Sequence, residues 1–307
     1  MTELTRRSFL KLSARLSVLM GMGGAAVPRM VEAMEELASG GAPVLWLQGQ
    51  CCSGCSVSLL DSESLTPFRL LTRHIHLGFH QTLSATTGQQ AVDTVNGMIA
   101  QGGYLLVVEG SVPAGMPRAA LFGEETFSSQ LSRAARQARA TLAVGTCAAF
   151  GGIPAAENNP TGALSVPAFL KSQGIESPLV RVPGCPFHPD WFVGTLVHLL
   201  KFGMPPLDDL GRPKAYYSKS MHDQCPRFAD YERERFAQTF GEEGCLFKLG
   251  CLGPITRTDC NIRPWNGGAG SCIRAGAPCI GCGEKEFAAK AQFPFLTKSR
   301  AREGLES

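Results

Sequence analysis

Twelve cysteines and their spacing constrain this 307-residue chain more than any other feature. Two C-x-x-C pairs stand near the two ends of the set, and the other cysteines lie between or beside them. Cysteines at this density occur in disulfide frameworks, zinc sites and iron–sulfur clusters. A chain of this length does not need disulfides to hold it together, but spacing alone does not separate zinc from iron–sulfur. The cysteines are Cys51, Cys52, Cys55, Cys147, Cys185, Cys225, Cys245, Cys251, Cys260, Cys272, Cys279 and Cys282.

The composition describes an ordinary globular protein. Hydrophobic residues make up 44% of the chain and charged residues 18%, which is typical of folded rather than disordered proteins. The length favours two domains. The formal net charge is only +3, and no run of lysine or arginine stands out. The sequence therefore gives no reason to expect a nucleic-acid partner.

The N-terminal region has the pattern of an export signal. Thr5–Lys11 reads TRRSFLK, a twin-arginine motif, and residues 16–28 form a weakly apolar stretch rich in glycine and alanine. That stretch is too short and too rich in glycine to span a membrane. We therefore expect residues 1–40 to direct export of a protein that already holds its metal. No other apolar stretch predicts a membrane anchor.

Four apolar runs downstream have the composition of buried strands. A helical pattern over residues 128–140 lies between the second and third runs. Strands that alternate with helices predict an α/β domain with a parallel sheet and helices on both of its faces. The predicted strands are Val44–Leu47, Tyr104–Val108, Thr141–Gly145 and Leu179–Val182.

Four cysteines follow the ends of three of these strands. Cys52 and Cys55 come after the first strand, Cys147 after the third and Cys185 after the fourth. Ligands of such sheets bind outside the carboxyl ends of the strands, so these thiols should converge at one edge. Cysteines that serve only core packing would lie within the strands. The placement thus predicts one [4Fe–4S] cluster on these four cysteines.

From about Asp208 onward the strand pattern fades, which predicts an irregular region ordered largely by metal. Its ligands fall into two groups along the chain. His222 joins the first group because it lies three residues before a cysteine in a set otherwise one ligand short. A neutral imidazole in place of a thiolate removes one negative charge and tends to raise the cluster potential. The groups are His222, Cys225, Cys245 and Cys251, then Cys260, Cys272, Cys279 and Cys282.

Five segments together carry a specific family resemblance: Trp46–Cys55 (WLQGQCCSGC), Val108–Pro113 (VEGSVP), Gly145–Gly152 (GTCAAFGG), Pro183–Pro186 (PGCP) and Pro278–Cys282 (PCIGC). On these motifs the chain resembles the small subunit of [NiFe] hydrogenases. The resemblance implies a flavodoxin-like domain with a parallel sheet and, after it, an irregular domain stabilised by clusters. We place the signal region at 1–40, the two domains at 42–205 and 206–290, and a tail at 291–307.

The resemblance also implies which group holds which cluster. A proximal [4Fe–4S] cluster would lie on Cys52, Cys55, Cys147 and Cys185. A distal one would lie on His222, Cys225, Cys245 and Cys251. The medial cluster would use Cys260, Cys279 and Cys282. Many family members have proline at the fourth medial position and a [3Fe–4S] cluster, but here Cys272 stands there. This looks like the [NiFeSe] branch, so we predict a medial [4Fe–4S] cluster, with [3Fe–4S] as the alternative.

Two departures from the family pattern bear on the proximal cluster. Cys51 stands where relatives usually have glycine or glutamate, and it forms a Cys-Cys tandem similar to that of the fold-related subunit of respiratory complex I. We expect Cys51 and Glu109 to lie beside the cluster without binding iron. Gly54 and Gly152 stand where oxygen-tolerant members carry extra cysteines. An ordinary proximal cube and oxygen sensitivity are expected.

The function implied is that of the electron-transfer subunit of a periplasmic uptake-type hydrogenase. This chain would carry no catalytic residue, because it lacks the second thiolate set that a nickel–iron centre needs, and a separate large subunit would hold that centre. Electrons would leave near His222 to a c-type cytochrome or a membrane quinone-reducing partner. The complex would be periplasmic, either free or membrane-associated through a partner. The alternatives are a complex-I-like electron-transfer subunit and a disulfide-bonded exported binding protein.

Overall fold

The computed structural model describes residue 14 and residues 43–62, 75–156 and 158–288. The predicted twin-arginine motif, the apolar stretch after it and the tail at 291–307 lie outside the described residues. In the described part of the chain, no helix has the length and apolar character needed to cross a membrane.

A five-stranded parallel sheet forms the centre of the first domain. Its strands follow the order β2-β1-β3-β7-β9, and two small antiparallel pairs, β4-β8 and β5-β6, flank it. Counting only the five central strands, this is the 2-1-3-4-5 order of flavodoxin-like folds. The predicted fold class is confirmed. The strands are β1 (Pro43–Gln48), β2 (His76–His80), β3 (Leu105–Glu109), β4 (Val112–Pro113), β5 (Leu121–Phe122), β6 (Glu125–Thr126), β7 (Ala140–Val144), β8 (Ala163–Leu164) and β9 (Leu179–Val182).

Helices cover both faces of the sheet, as the alternating pattern predicted. Buried side chains of α1 and α6 pack with one set of strand residues, and those of α2, α3 and α5 pack with the other. Single turns of 3₁₀-helix lie at Pro117–Ala119, Ile153–Ala155 and Phe247–Leu249. The helices are α1 (Gly54–Leu60), α2 (Gly88–Gln101), α3 (Phe127–Gln137), α4 (Gly145–Phe150), α5 (Val166–Ser172), α6 (Pro189–Phe202), α7 (Lys214–Tyr217) and α8 (Phe228–Glu232).

The four predicted strands are all present within one residue of their expected ends, but β2 was missed. β2 is an edge strand that begins at exposed His76, so it has no continuous apolar run. Gly78, at its centre, leaves room for Met98 of α2: an added Cβ would lie 2.4 Å from the sulfur. The predicted helix over 128–140 ends earlier, at Gln137, because Ala138 is extended and leads into β7.

Regular structure becomes sparse after α6, as expected for the second domain. No strand follows Val182 among the described residues. The two α-helices that follow α6, α7 and α8, have only four and five residues. This region docks on the start of α6 through buried polar contacts. The Trp191 indole donates to Asp259 at 2.6 Å, and Arg263 pairs with Asp190 at 3.1 Å and with Asp259 at 3.0 Å. The predicted domain boundaries themselves stay a prediction.

Candidate metal centres

The carboxyl edge of the sheet gathers the first group of cysteines. Cys52 and Cys55 lie at the turn from β1 into α1, Cys147 lies in α4 directly after β7, and Cys185 follows β9. These elements are far apart in sequence, yet their thiols are close enough for charges to act between them. Cys147 and Cys185 both act on Cys55, and Cys52 acts on Cys185. The structure therefore brings together the four residues predicted for the proximal cluster.

Ionising these thiols is unfavourable unless a cation compensates the charge. Burial raises the pKa of Cys55 well above its ordinary value, and the charges of Glu109, Cys147 and Cys185 raise it further. Burial, followed by the charge of Cys185, raises the pKa of Cys147 to about 12. Clustered buried thiols of this kind become thiolates when metal binds, with release of protons. The donor set fits an iron–sulfur cluster.

Two glycines keep space free around the same thiols. Gly145 has φ +77°, and a Cβ there would lie 2.4 Å from Sγ of Cys55. Gly152 has φ +56°, and a Cβ there would lie 2.9 Å from Sγ of Cys147. Both positions combine positive φ with close approach to sulfur, so any side chain would be strained and would displace a thiol. The backbone thus preserves room around the predicted ligands.

Glu109, at the end of β3, fixes the loop that carries Cys55. Its buried carboxylate accepts hydrogen bonds from the backbone N–H of Cys55 at 3.1 Å and from the hydroxyl of Ser56 at 2.5 Å. Gln48 and the Trp46 indole also donate to it, at 3.0 and 3.3 Å. Glu109 therefore lies beside the predicted proximal site and positions one of its ligands. Sequence reasoning placed Glu109 there but missed the donors around it.

Cys51 borders the same site. Its side chain is half-buried, and burial, followed by the charge of Glu109, raises the pKa of its thiol to about 11. Hydrogen bonds from Ser53 oppose this rise. Cys51 also lies close enough to Cys147 for its charge to act there. The tandem therefore places two neighbouring thiols near the site, of which Cys52 is exposed.

The second group, predicted for the distal cluster, lines a single cavity. All four predicted ligands border it, and Arg227 with apolar and glycine residues completes its wall. Burial raises the pKa of the Cys225 thiol, and the charges of Cys251 and Cys245 add to that rise. The structure thus gathers three thiols and an imidazole around one space. The lining residues are His222, Cys225, Arg227, Cys245, Leu246, Phe247, Cys251, Gly253, Pro254 and Ile273.

Aromatic rings enclose the imidazole of His222. Its ring centre lies 5.0 Å from that of Phe228 and 4.7 Å from that of Tyr231, both in edge-on geometry. Tyr231 also contacts Phe247 and Phe236, at 5.7 and 6.3 Å. Such contacts restrict the orientation of the ring. Phe228 and Tyr231 are each 37% exposed, so this end of the cavity reaches the protein surface.

The third group, predicted for the medial cluster, contacts the regions of both other groups: the Cys279 N–H donates to Sγ of Cys251 at 3.3 Å, and the carbonyl of Cys282 accepts from Thr146, next to Cys147. Burial raises the pKa of Cys282 well above its ordinary value, and the charges of Cys260, Cys279 and Cys272 raise it further. Cys260 and Cys279 are buried. Much of the surface of Cys272 is exposed to solvent. The protein atoms around its thiol nevertheless raise the pKa of that thiol. Its charge acts on Cys260 and Cys282 of this group and also on Cys251 of the second group, so Cys272 lies near both.

None of the twelve cysteines, all of which lie in the described residues, forms a disulfide. Across the described ranges, no three side chains of His, Cys, Asp or Glu gather closely enough for a single metal ion. A [4Fe–4S] cube has a different requirement, because each thiolate binds a different iron and the ligands stand around the whole core.

Two family models match separate parts of the chain. Residues 52–199 match the family described as NADH ubiquinone oxidoreductase, 20 Kd subunit. Residues 217–295 match the C-terminal family of NiFe/NiFeSe hydrogenase small subunits. The first match covers most of the sheet domain with the first ligand group. The second match covers the other two ligand groups.

Relatives and solved structures agree with the second match. The chain is 41% identical to the periplasmic [NiFeSe] hydrogenase small subunit of Desulfomicrobium baculatum, over 93% of this chain and 96% of that protein. It is 36% identical to the uptake hydrogenase small subunit of Azotobacter vinelandii, over 94% and 82%. A solved [NiFeSe] hydrogenase chain from Desulfomicrobium baculatum superposes with a TM-score of 0.80 and 42% identity, covering 83% of this chain and 98% of that one. The chain belongs to the family of [NiFe] and [NiFeSe] hydrogenase small subunits.

Proposed function

We propose that this chain is the electron-transfer subunit of a periplasmic uptake-type hydrogenase. It would connect H2 oxidation at a separate large subunit to an external acceptor. The observation that carries the proposal is the gathering of twelve candidate ligands into three sets, with the third set in contact with both of the others. Iron–sulfur clusters on these sets would supply one-electron redox steps. The chain's own residues hold the ligands, set the spacing between the sets and shape the two ends.

The proposed ligand assignment follows the three sets. Cys272 is included because its charge acts on both Cys260 and Cys282, which favours four irons at the medial site. Cys51 is left beside the proximal site, next to Glu109. The proximal ligands are Cys52, Cys55, Cys147 and Cys185, the medial ligands Cys260, Cys272, Cys279 and Cys282, and the distal ligands His222, Cys225, Cys245 and Cys251.

The proximal end has the features of a surface that a large subunit would cover. Cys52 is exposed, and α1 beside it presents Val57 at 58% exposure and Leu60 at 45%. Residues three apart on a helix lie on the same side. Exposed apolar side chains grouped on one surface are typical of a protein–protein interface, and this group lies beside the predicted cluster-binding residue Cys52. We therefore place the partner with the nickel–iron centre here.

The distal end supports electron exit at His222. The imidazole is half-buried, and the partly exposed rings of Phe228 and Tyr231 lie around it. Charges nearby are mixed, since Arg227 and Lys248 stand among acidic residues. A c-type cytochrome or a membrane quinone-reducing partner would dock here through this aromatic surface.

Two further parts of the proposal rest on the N-terminal region and on two glycines. The twin-arginine motif and the periplasmic Desulfomicrobium relative support export to the periplasm.

Gly54 and Gly152 lie against the sulfurs of Cys52 and Cys147: an added Cβ would lie 3.1 and 2.9 Å away. Without additional thiols there, we propose an ordinary proximal cube and sensitivity to oxygen.

Replacing His222 by cysteine tests the proposed exit. The thiolate adds one negative charge, so the potential of the distal cluster should fall. We expect H2-dependent reduction of a protein acceptor to slow by at least about tenfold, because changes in groups that only orient a ligand already cost that much. Acceptor reduction would be timed in the anaerobically purified two-subunit enzyme, and the distal potential measured by EPR titration.

His76→Cys is the matched control. It makes the same replacement at an exposed position at the start of β2, the end of the strand away from the ligands. This variant should keep the wild-type rate and potentials. If His222→Cys also left the distal potential and the acceptor rate unchanged, the exit would not lie at His222.

A further inference from the structure

Hydrogen bonds join predicted ligand segments of different sites at both gaps between the three sets. Between the proximal and medial sets, the side chain of Thr146 bonds both the backbone of Gly184, which precedes Cys185, and the backbone of Cys282. Between the medial and distal sets, the N–H of Cys279 donates to Sγ of Cys251 at 3.3 Å. Each gap is thus bridged by hydrogen bonds between segments that carry predicted ligands of different sites.

Thr146 makes the first of these contacts through its hydroxyl. Its hydroxyl accepts the N–H of Gly184 at 2.9 Å and donates to the carbonyl of Cys282. Its own backbone N–H donates to the carbonyl of Gly184 at 2.9 Å. One side chain therefore joins the residue before Cys185 to Cys282, which lies 136 residues after Thr146 in the sequence.

The bonding of Thr146 is not the usual local pattern of threonine in a helix. Threonine hydroxyls in helices commonly bond the carbonyl one turn back. The hydroxyl of Thr146, at the start of α4, instead donates one hydrogen bond and accepts another, both with segments distant in sequence. The side chain is 1% exposed, so solvent cannot replace either partner. Losing the hydroxyl would leave the Gly184 N–H and the Cys282 carbonyl without this partner.

The loop around Gly184 has little freedom to adjust. Gly184 has φ +147°, and an added Cβ would lie 2.6 Å from the carbonyl oxygen of Pro186. The hydroxyl of Tyr217 holds the carbonyl of Pro183 at 2.7 Å. A loop fixed on both sides transmits a displacement of Thr146 to the neighbouring Cys185.

We propose that Thr146 is a positioning residue that couples the proximal and medial sites by holding the segment that carries Cys185 against the backbone of Cys282. This rests on the proposed function, because it presumes clusters on both ligand sets. At the second gap, the N–H contact between Cys279 and Cys251 joins the two sites without Thr146. Thr146 therefore governs one gap and leaves the other unaffected.

Thr146→Val tests the proposal, because valine keeps the shape and removes the hydroxyl. In the two-subunit enzyme we expect a weaker magnetic interaction between the proximal and medial clusters in EPR. We also expect roughly tenfold slower reduction of the medial cluster after H2 addition, as is typical when a group orienting a ligand is lost. The medial–distal interaction should not change. Thr146→Ser, which keeps the hydroxyl, should behave as wild type, as should Thr141→Val, a buried threonine on β7.

The outcomes separate this inference from the proposed function. A Thr146→Val enzyme with full iron, unchanged magnetic interaction and unchanged rate overturns the role of Thr146, while the function stands. If the valine variant and Thr146→Ala both fail to take up iron but Thr146→Ser loads fully, the hydroxyl is shown to join the ligand loops. Failure of the serine variant as well overturns the proposal. Wild-type enzyme without clusters overturns the proposed function itself.

Discussion

Replacing Cys52 by alanine is expected to disrupt the proximal site and to lower the iron content by at least about one atom per chain. The reason is that Cys52 is one of the four thiols gathered at the carboxyl edge of the sheet, and three ligands leave one iron without a protein donor. H2-dependent reduction of acceptors that dock at His222 should be lost. Iron analysis and a dye-reduction assay on the anaerobic two-subunit enzyme measure both effects.

Cys51→Ala is the matched control, because it makes the same change one residue away. Cys51 borders the site beside Glu109, and its loss should leave iron content and H2-dependent reduction close to wild type. The opposite pattern, with iron lost in the Cys51 variant and kept in the Cys52 variant, would show that the tandem binds iron through its first cysteine.

The change Cys272→Pro should convert the medial site from four irons to three. The thiol of Cys272 lies close enough to Cys260 and Cys282 for its charge to act on both, and a proline side chain offers no atom that can bind iron. We expect the iron content to fall by about one atom per chain and the EPR signal of an oxidised [3Fe–4S] cluster to appear. The medial potential should change as well, because cluster type is one of the factors that set the reduction potential.

Arg274→Ala serves as the control for this loop. Arg274 is exposed, two residues from Cys272, and donates to the carbonyl of Asn261 at 3.1 Å, so its loss perturbs the loop without removing a thiol. Its iron content should stay at the wild-type value. An unchanged iron count in Cys272→Pro would remove Cys272 from the medial ligands.

Most of the central sheet could be predicted because three of its strands are buried on both faces. β1, β3 and β7 consist mainly of buried apolar residues for that reason. β9, at one edge, is buried at alternate positions and keeps three apolar residues around Arg181. β2, at the other edge, was missed because its sequence carries two histidines and a glycine. The strand order follows from pairing between distant segments, and the family resemblance supplied it.

The ligands could be predicted because cysteine placement relative to strand ends reflects a general property of parallel sheets. Their surroundings could not. Glu109 was noticed, but its donors Trp46 and Ser56 lie 63 and 53 residues away in sequence. Thr146 is an ordinary threonine in the sequence, and only folding brings Gly184 and Cys282 to its hydroxyl. Contacts between such distant segments leave no local pattern.

Iron and acid-labile sulfide per chain, measured on the anaerobically purified enzyme, test the central claim most directly. Three [4Fe–4S] clusters predict about twelve irons with matching sulfide. A value of about eleven would assign three irons to the medial site, and about four would leave only the proximal cluster, as in a complex-I-like subunit. A value near zero, with zinc or disulfides on the cysteines, would contradict the account of this chain as an electron-transfer subunit.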